Sequence, residues 1–404
     1  MKILSRLSFT IFAFLYLATA STLALPMHSI LRWVGSGFLL LCVFIEMRMA
    51  LNDYKIFVPN AYNYIYIALI PTLLGVAGEG TIYSIGRIIS FFLVVFSLQF
   101  FFDIKSITKE DVKALIEIFV FISGVMICIS VFTNNIVQDR LAGVYANANQ
   151  LSCISLFCAI MSLCYFLVNK GKPIRGIYLL FLCASTYCTL KTASRMGTCC
   201  IILISFLIPF ITNKNKSVQS RLKQLFSIVM IVCVVLFVVN KFEIAGIDRL
   251  FQNSNDNDKL LIFTRGETWN DVYNIWHQKP LLGWGYGQVS YHVFELKDTT
   301  YNWGVHSSYF AILCEMGIVG SLLFLSFFIS YGLYIAKQLK AALLNESEKL
   351  FVRFLILICI IMLINAYSES YLFSLGNPMA ACFWVPFIAL NCYLRKQQKI
   401  IVDR

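Results

Sequence analysis

Charge is scarce in this chain of 404 residues: Asp, Glu, Lys and Arg together make up 13%, about half of the ~25% found in an ordinary water-soluble protein. The shortage excludes the two or three soluble domains that the length would suggest, because several separate cores need polar surface that is not there. Also missing are a CxxC pair, a histidine at metal-ligand spacing, paired carboxylates near the outer ends of the apolar segments, and any Lys/Arg-rich arm. A formal charge of +12 is therefore read first as a signal of membrane topology, with nucleic acid not expected as a partner. Internal repeats, heptads and low-complexity tracts are absent as well.

What is present is apolar: 59% of the residues, with a mean hydropathy of +0.75. Twelve runs are long enough, with borrowed flanking residues, to cross ~30 Å of hydrocarbon. They cover residues 7–25, 30–47, 58–77, 82–102, 114–132 and 151–168, then 177–190, 196–211, 225–239, 309–335, 350–365 and 378–394. If the N-terminus lies inside, 22 of the 33 basic residues fall on the inner side, as the positive-inside rule requires. The expected class is an all-α polytopic integral membrane protein with about 12 transmembrane helices and one large outer loop. Residues 1–239 carry helices 1–9, 240–306 the loop, and 307–404 helices 10–12 with an inner tail. Lys2 and Arg6 precede an apolar stretch ending in small residues, so the first segment reads either as a retained helix or as a cleavable signal. All fourteen cysteines lie in apolar runs and read as small fillers, not as a disulfide framework.

The loop opens with a polar turn at Gln252–Lys259. Thr264-Arg265-Gly266-Glu267 has the spacing of a helix-capping box. Trp269, Val272, Tyr273 and Trp276 follow at i, i+3, i+4 and i+7, one apolar face of a helix of about three turns that rests on the membrane surface or on other helices. Pro280 and the glycines 283, 285 and 287 then form a turn.

Three polar residues share the outer depth: Arg195, Arg265 and His306. Two arginines suit a diphosphate presented from the bilayer, since guanidinium forks match phosphate oxygens and a helix start favours an anion. The plainer reading is a pair of snorkelling or capping side chains. His306 is a general base or a structural interfacial histidine. Glu315 is the acidic residue deepest in a segment and needs a partner there, either as a hydrogen-bonding hub or as support to a site; Gly317 and Gly320 beside it permit close helix contact. On a straight helix Glu315 points away from His306. Trp276, Trp284, Tyr286, Tyr291, Tyr301 and Trp303 suit either sugar stacking or an aromatic belt.

His306-Ser307-Ser308-Tyr309 followed by Glu315-Met316-Gly317-Ile318-Val319-Gly320 resembles a motif of the O-antigen ligase and O-antigen polymerase superfamily. So do Thr192-Ala193-Ser194-Arg195, Thr264-Arg265-Gly266 and Lys279-Pro280-Leu281-Leu282-Gly283-Trp284-Gly285. Gly143-Val144-Tyr145-Ala146-Asn147-Ala148-Asn149 is similar to the family's Asn-Pro-Asn element with Ala148 in place of Pro, and Ser307 stands where Asn is usual. The motifs span about residues 140–325 in the family's order.

The resemblance implies a metal-independent, cofactor-free inverting glycosyltransferase of the bacterial inner membrane with its active site facing the periplasm. The donor is then a glycan on undecaprenyl diphosphate, and the acceptor another glycan or lipid A core, with a chain-length regulator as a further partner. Arg195 and Arg265 hold the diphosphate, and His306 takes the proton from the acceptor hydroxyl. Polymerase is preferred to ligase. A lipid-linked sugar flippase is the competing class, disfavoured by the absence of an inverted repeat.

Overall fold

The computed structural model of the chain describes residues 2–19, 21–49, 62, 64–65, 67, 81–104, 106–133, 135–137, 140–212, 266–290, 294–295, 300–301, 305–374 and 377–402. Among them, apolar runs fold as helices because a helix pairs its own backbone groups, the condition for entering hydrocarbon. The helices are α1 (Lys2–Ala18), α2 (His28–Met49), α3 (Thr81–Asp103), α4 (Lys109–Thr133), α5 (Ala148–Val168), α6 (Arg175–Lys191) and α7 (Arg195–Thr212). After them come α8 (Gly266–Gln278), α9 (Ser308–Ala341), α10 (Glu346–Asn365) and α11 (Pro378–Val402). All but α8 coincide with expected segments. The remaining two, 58–77 and 225–239, fall largely or wholly outside the described residues. Six of the helices are long and apolar enough to cross a membrane.

The helices surround α5 and α11, whose side chains are buried almost all the way round. Phe9, Phe12 and Tyr16 of α1 lie in the same core, so the first segment packs as a full member of the bundle. Chain direction alternates as expected. At one end Lys109 meets Glu348 at 2.5 Å, Arg6 meets Asp111 at 2.5 Å, and Arg395 pairs with Asp103. At the opposite end Ser21 bridges Tyr145, and Arg87 donates to the Ser374 hydroxyl at 2.9 Å. Thirteen described cysteines are free and ten of them are buried, which suits small fillers.

Four expectations are revised. Two small antiparallel hairpins interrupt the all-α pattern: β1 (Ile136–Val137) with β2 (Arg140–Leu141), and β3 (Phe294–Glu295) with β4 (Thr300–Tyr301). The loop helix α8 buries Val272 and Ile275 against Val289, Val305 and Cys314, while Tyr273 is 47% exposed; its inner face is thus rotated from the expected one, and it rests on α9. Helix α9 is longer than 309–335 and is broken at Gly317, where φ is 63° and ψ is −167°. Finally, among the described residues Gly317 faces the turn at Leu281 and Leu282 and not a neighbouring helix. A Cβ there would strike the backbone of Leu281 and Leu282, and one on Gly283 would strike that of Glu315 and Met316.

Candidate functional site at the outer end of the bundle

The 192–195 turn is built by its own backbone. The N–H of Thr192 closes α6 on the carbonyl of Cys188, Ala193 takes a left-handed φ of 50°, and Ser194 accepts from the N–H of Gly197 at 3.3 Å. Ser194 therefore caps α7, and Arg195 becomes its first residue, at the positive end of the helix dipole. Arg140 braces the turn, donating from Nε to the carbonyl of Thr192 at 2.7 Å and from Nη2 to the side chain of Asn149. Asn147 caps α5 by accepting from the N–H of Asn149 at 2.8 Å. Ala148 is the first helical residue, a position where Pro is favoured but not needed, so its substitution leaves the cap intact.

His306 has a left-handed φ of 51° and is half-buried, immediately before the cap of α9. Ser307 supplies that cap, its side chain accepting from the N–H of Phe310; Ser and Asn do this job equally well, which explains the substitution. Ser308 then latches the segment between α10 and α11. Its N–H donates to the carbonyls of Ala366 and Glu369, and its hydroxyl donates to Glu369 O at 2.7 Å. The same hydroxyl accepts from the N–H groups of Tyr371 at 3.0 Å and Leu372 at 3.2 Å.

An open apolar groove of about 370 Å³ is lined by Met196, Tyr309, Ile360, Leu363, Ile364 and Tyr367. Met196 directly follows Arg195, and Tyr309 is three residues beyond His306. Trp269 of α8 stands 5.2 Å from the ring of Tyr367 and 5.3 Å from that of Phe310. The segments adjoining Arg195 and His306 thus line one groove, and Trp269 of α8 packs on Tyr367 at its edge. Arg265 itself, with Thr264, lies outside the described residues.

Glu315 is buried, and it lines a second, polar cavity of about 100 Å³ together with Arg87 of α3, Ser308, Ser370 and Ser374. Val305 and Ser308, which flank His306 and Ser307, line the same cavity. Arg87 also lies 6.0 Å from the centre of the Tyr286 ring, and the Tyr286 hydroxyl donates to the carbonyl of Phe373. The aromatic residues divide accordingly. Tyr286 is buried, and the indole N–H groups of Trp276 and Trp284 are taken by Pro280 O and Ile275 O. Tyr291 and Trp303 lie outside the described residues.

Two outer arginines escaped the sequence reading, Arg87 and Arg140. The signal for both was their place on the side that the charge pattern leads one to expect as the outer one, where basic residues are sparse.

No curated protein matches the chain. The family model described as O-antigen ligase matches residues 177–325, the stretch that holds the Arg195 turn, α8, His306 and the break at Gly317, and this match supports the resemblance to the O-antigen ligase and polymerase superfamily.

Proposed function

We propose that the protein is a glycosyltransferase that moves a glycan from undecaprenyl diphosphate to an acceptor sugar, as an O-antigen or capsule polymerase of the bacterial inner membrane with its site facing the periplasm. The carrying observation is the groove on which the starts of α7 and α9 meet, with the first turn of α8 at its rim. Its apolar lining suits a polyprenyl chain, and positive charge at its edge suits the diphosphate. In this reading the acceptor oxygen attacks the anomeric carbon as its proton passes to His306. The bond to the diphosphate oxygen breaks with its electron pair, on the opposite face, so the configuration inverts. Arg195 and Arg265 offset the charge gathering on the leaving group without a metal.

The test is a purified assay with lipid-linked repeat units alone, and then with lipid A core added. Polymer from repeat units alone is expected. Product formed only on lipid A core makes the protein a ligase, and no glycosidic product from either overturns the reading. His306→Ala is expected to lower transfer by about 10²-fold or more, the usual worth of a general base. Near-normal transfer in that variant removes His306 from the mechanism.

A further inference from the structure

The break in α9 exchanges partners with the loop that precedes it. In an unbroken helix the N–H of Ile318 would pair with the carbonyl of Cys314, and that of Val319 with the carbonyl of Glu315. Here all four groups pair instead with the turn at Pro280–Gly285. Ile318 N–H donates to Pro280 O at 2.9 Å and Val319 N–H to Leu281 O at 3.2 Å. In return the N–H groups of Trp284 and Gly285 donate to Cys314 O at 2.9 Å and Glu315 O at 2.8 Å. The turn is closed on itself by Gly283 N–H donating to Lys279 O at 3.0 Å. It sits where two helical hydrogen bonds have opened, and every opened group finds a new partner.

Glycine is required on both sides of this joint. Gly317 has φ 63° with ψ −167° and Gly283 has φ 70°, values that L side chains resist, and each faces the other segment's backbone. The joint also lies between the two halves of the candidate site. The docked turn follows α8 directly, and the broken helix begins two residues after His306. Cys314 Sγ donates to Val272 O at 3.2 Å, and the indole of Trp284 reaches Ile275 O at 3.0 Å, so this region ties α8 to α9.

We propose that Gly317 is a positioning residue, and the docked Pro280–Gly285 turn the positioning element, that together hold α8 and the chain beside Arg265 against the helix that presents His306. The proposal rests on the reading of these residues as a glycan-transfer site. Substituting Gly317 favours the alternative pairing, a continuous α9 with the turn released, because alanine suits an uninterrupted helix and not the broken one.

The experiment compares wild type, Gly317→Ala and Gly283→Ala, purified as full-length protein, by peptide-resolved hydrogen exchange and by the transfer assay with lipid-linked repeat units. Partner exchange predicts an asymmetry: the amides of Trp284 and Gly285 lose protection in both variants, whereas those of Ile318 and Val319 keep it by pairing within the helix. Transfer should fall at least about ten-fold in kcat, with a smaller change in donor KM, because Arg195 stays on α7 while α8 moves relative to His306. Retained protection at Trp284 and Gly285 in both variants overturns the proposal. So does joint loss at all four amides, which means local unfolding, and so does release of the turn with unchanged kcat. If Gly317→Ala does not fold, Gly283→Ala carries the same comparison with Gly317 in place; failure of both to fold makes the joint a folding requirement and overturns the positioning role. His306→Ala runs beside them. Activity in that variant sinks the reading of the site, whereas the exchange asymmetry still reports on the joint.

Discussion

Arg195 owes its place to a turn in which every neighbour has a local job: Thr192 closes one helix, Ala193 reverses the chain and Ser194 caps the next. A planar fork at the first position of α7 can engage two phosphate oxygens together, whereas an ammonium engages them as a point charge. Arg195→Ala is therefore expected to slow transfer by about 10²-fold, the scale of losing one fixed donor at a developing anion. Arg195→Lys should recover only a minor part, as measured by kcat/KM for the lipid-linked donor; full recovery with Lys would mean that charge alone suffices. Motif and depth coincide at Arg195, which is what makes it a candidate in the sequence. The substitutions Ala148 and Ser307 leave the helix caps in place for a reason that is also local, since one occupies a first helical turn and the other supplies a cap. Arg87 and Arg140 were not legible, because their partners Ser374, Asn149 and Thr192 are 287, 9 and 52 residues away along the chain.

Among the elements, α10 has the most explicit start. Asn345 and Glu348 form a reciprocal capping box, and Glu348, two residues before the apolar run, also takes the ammonium of Lys109 from the start of α4. Burial pushes the Glu348 carboxyl up. The hydrogen bonds from Lys109 and the Asn345 N–H, with the charges of Lys109 and Lys113, outweigh it and hold the carboxyl below its ordinary value. A depressed folded value means that the contribution is present above the unfolded carboxylate range and is lost as pH falls through the folded one. Glu348→Gln should accordingly lower stability at pH 7 by roughly 1 kcal/mol. The gap to wild type should close on acidification below the carboxylate range, read from thermal unfolding in detergent. A gap that stays constant with pH would exclude the ionised pair as its source. Hydropathy made the spans legible at this scale, but it hid the break in α9. A glycine within an apolar run reads as room for a neighbouring helix, and the partner that fills Gly317's surroundings lies in the loop some 36 residues earlier, between Pro280 and Gly285.

Across the whole molecule, the described helices alternate in direction and gather their ion pairs at one end, in keeping with the excess of basic residues on that side. Reporter fusions at Asn255 and at Lys340 should consequently mark opposite sides of the membrane, Asn255 on the periplasmic one. A cytoplasmic signal from Asn255 would invert the layout and remove the site from the periplasm. The break also fixes an altitude. From Gly317 to Ala336 is 20 residues, about 30 Å of helix and the thickness of a hydrocarbon core, with Lys337 and Lys340 just past its inner border. Ser308–Met316 add about 13 Å of helix beyond that length. In the proposed reading, His306 at the head of that extension would meet its substrates near headgroup height, where a hydrophilic sugar chain can approach from water while its carrier remains in the bilayer.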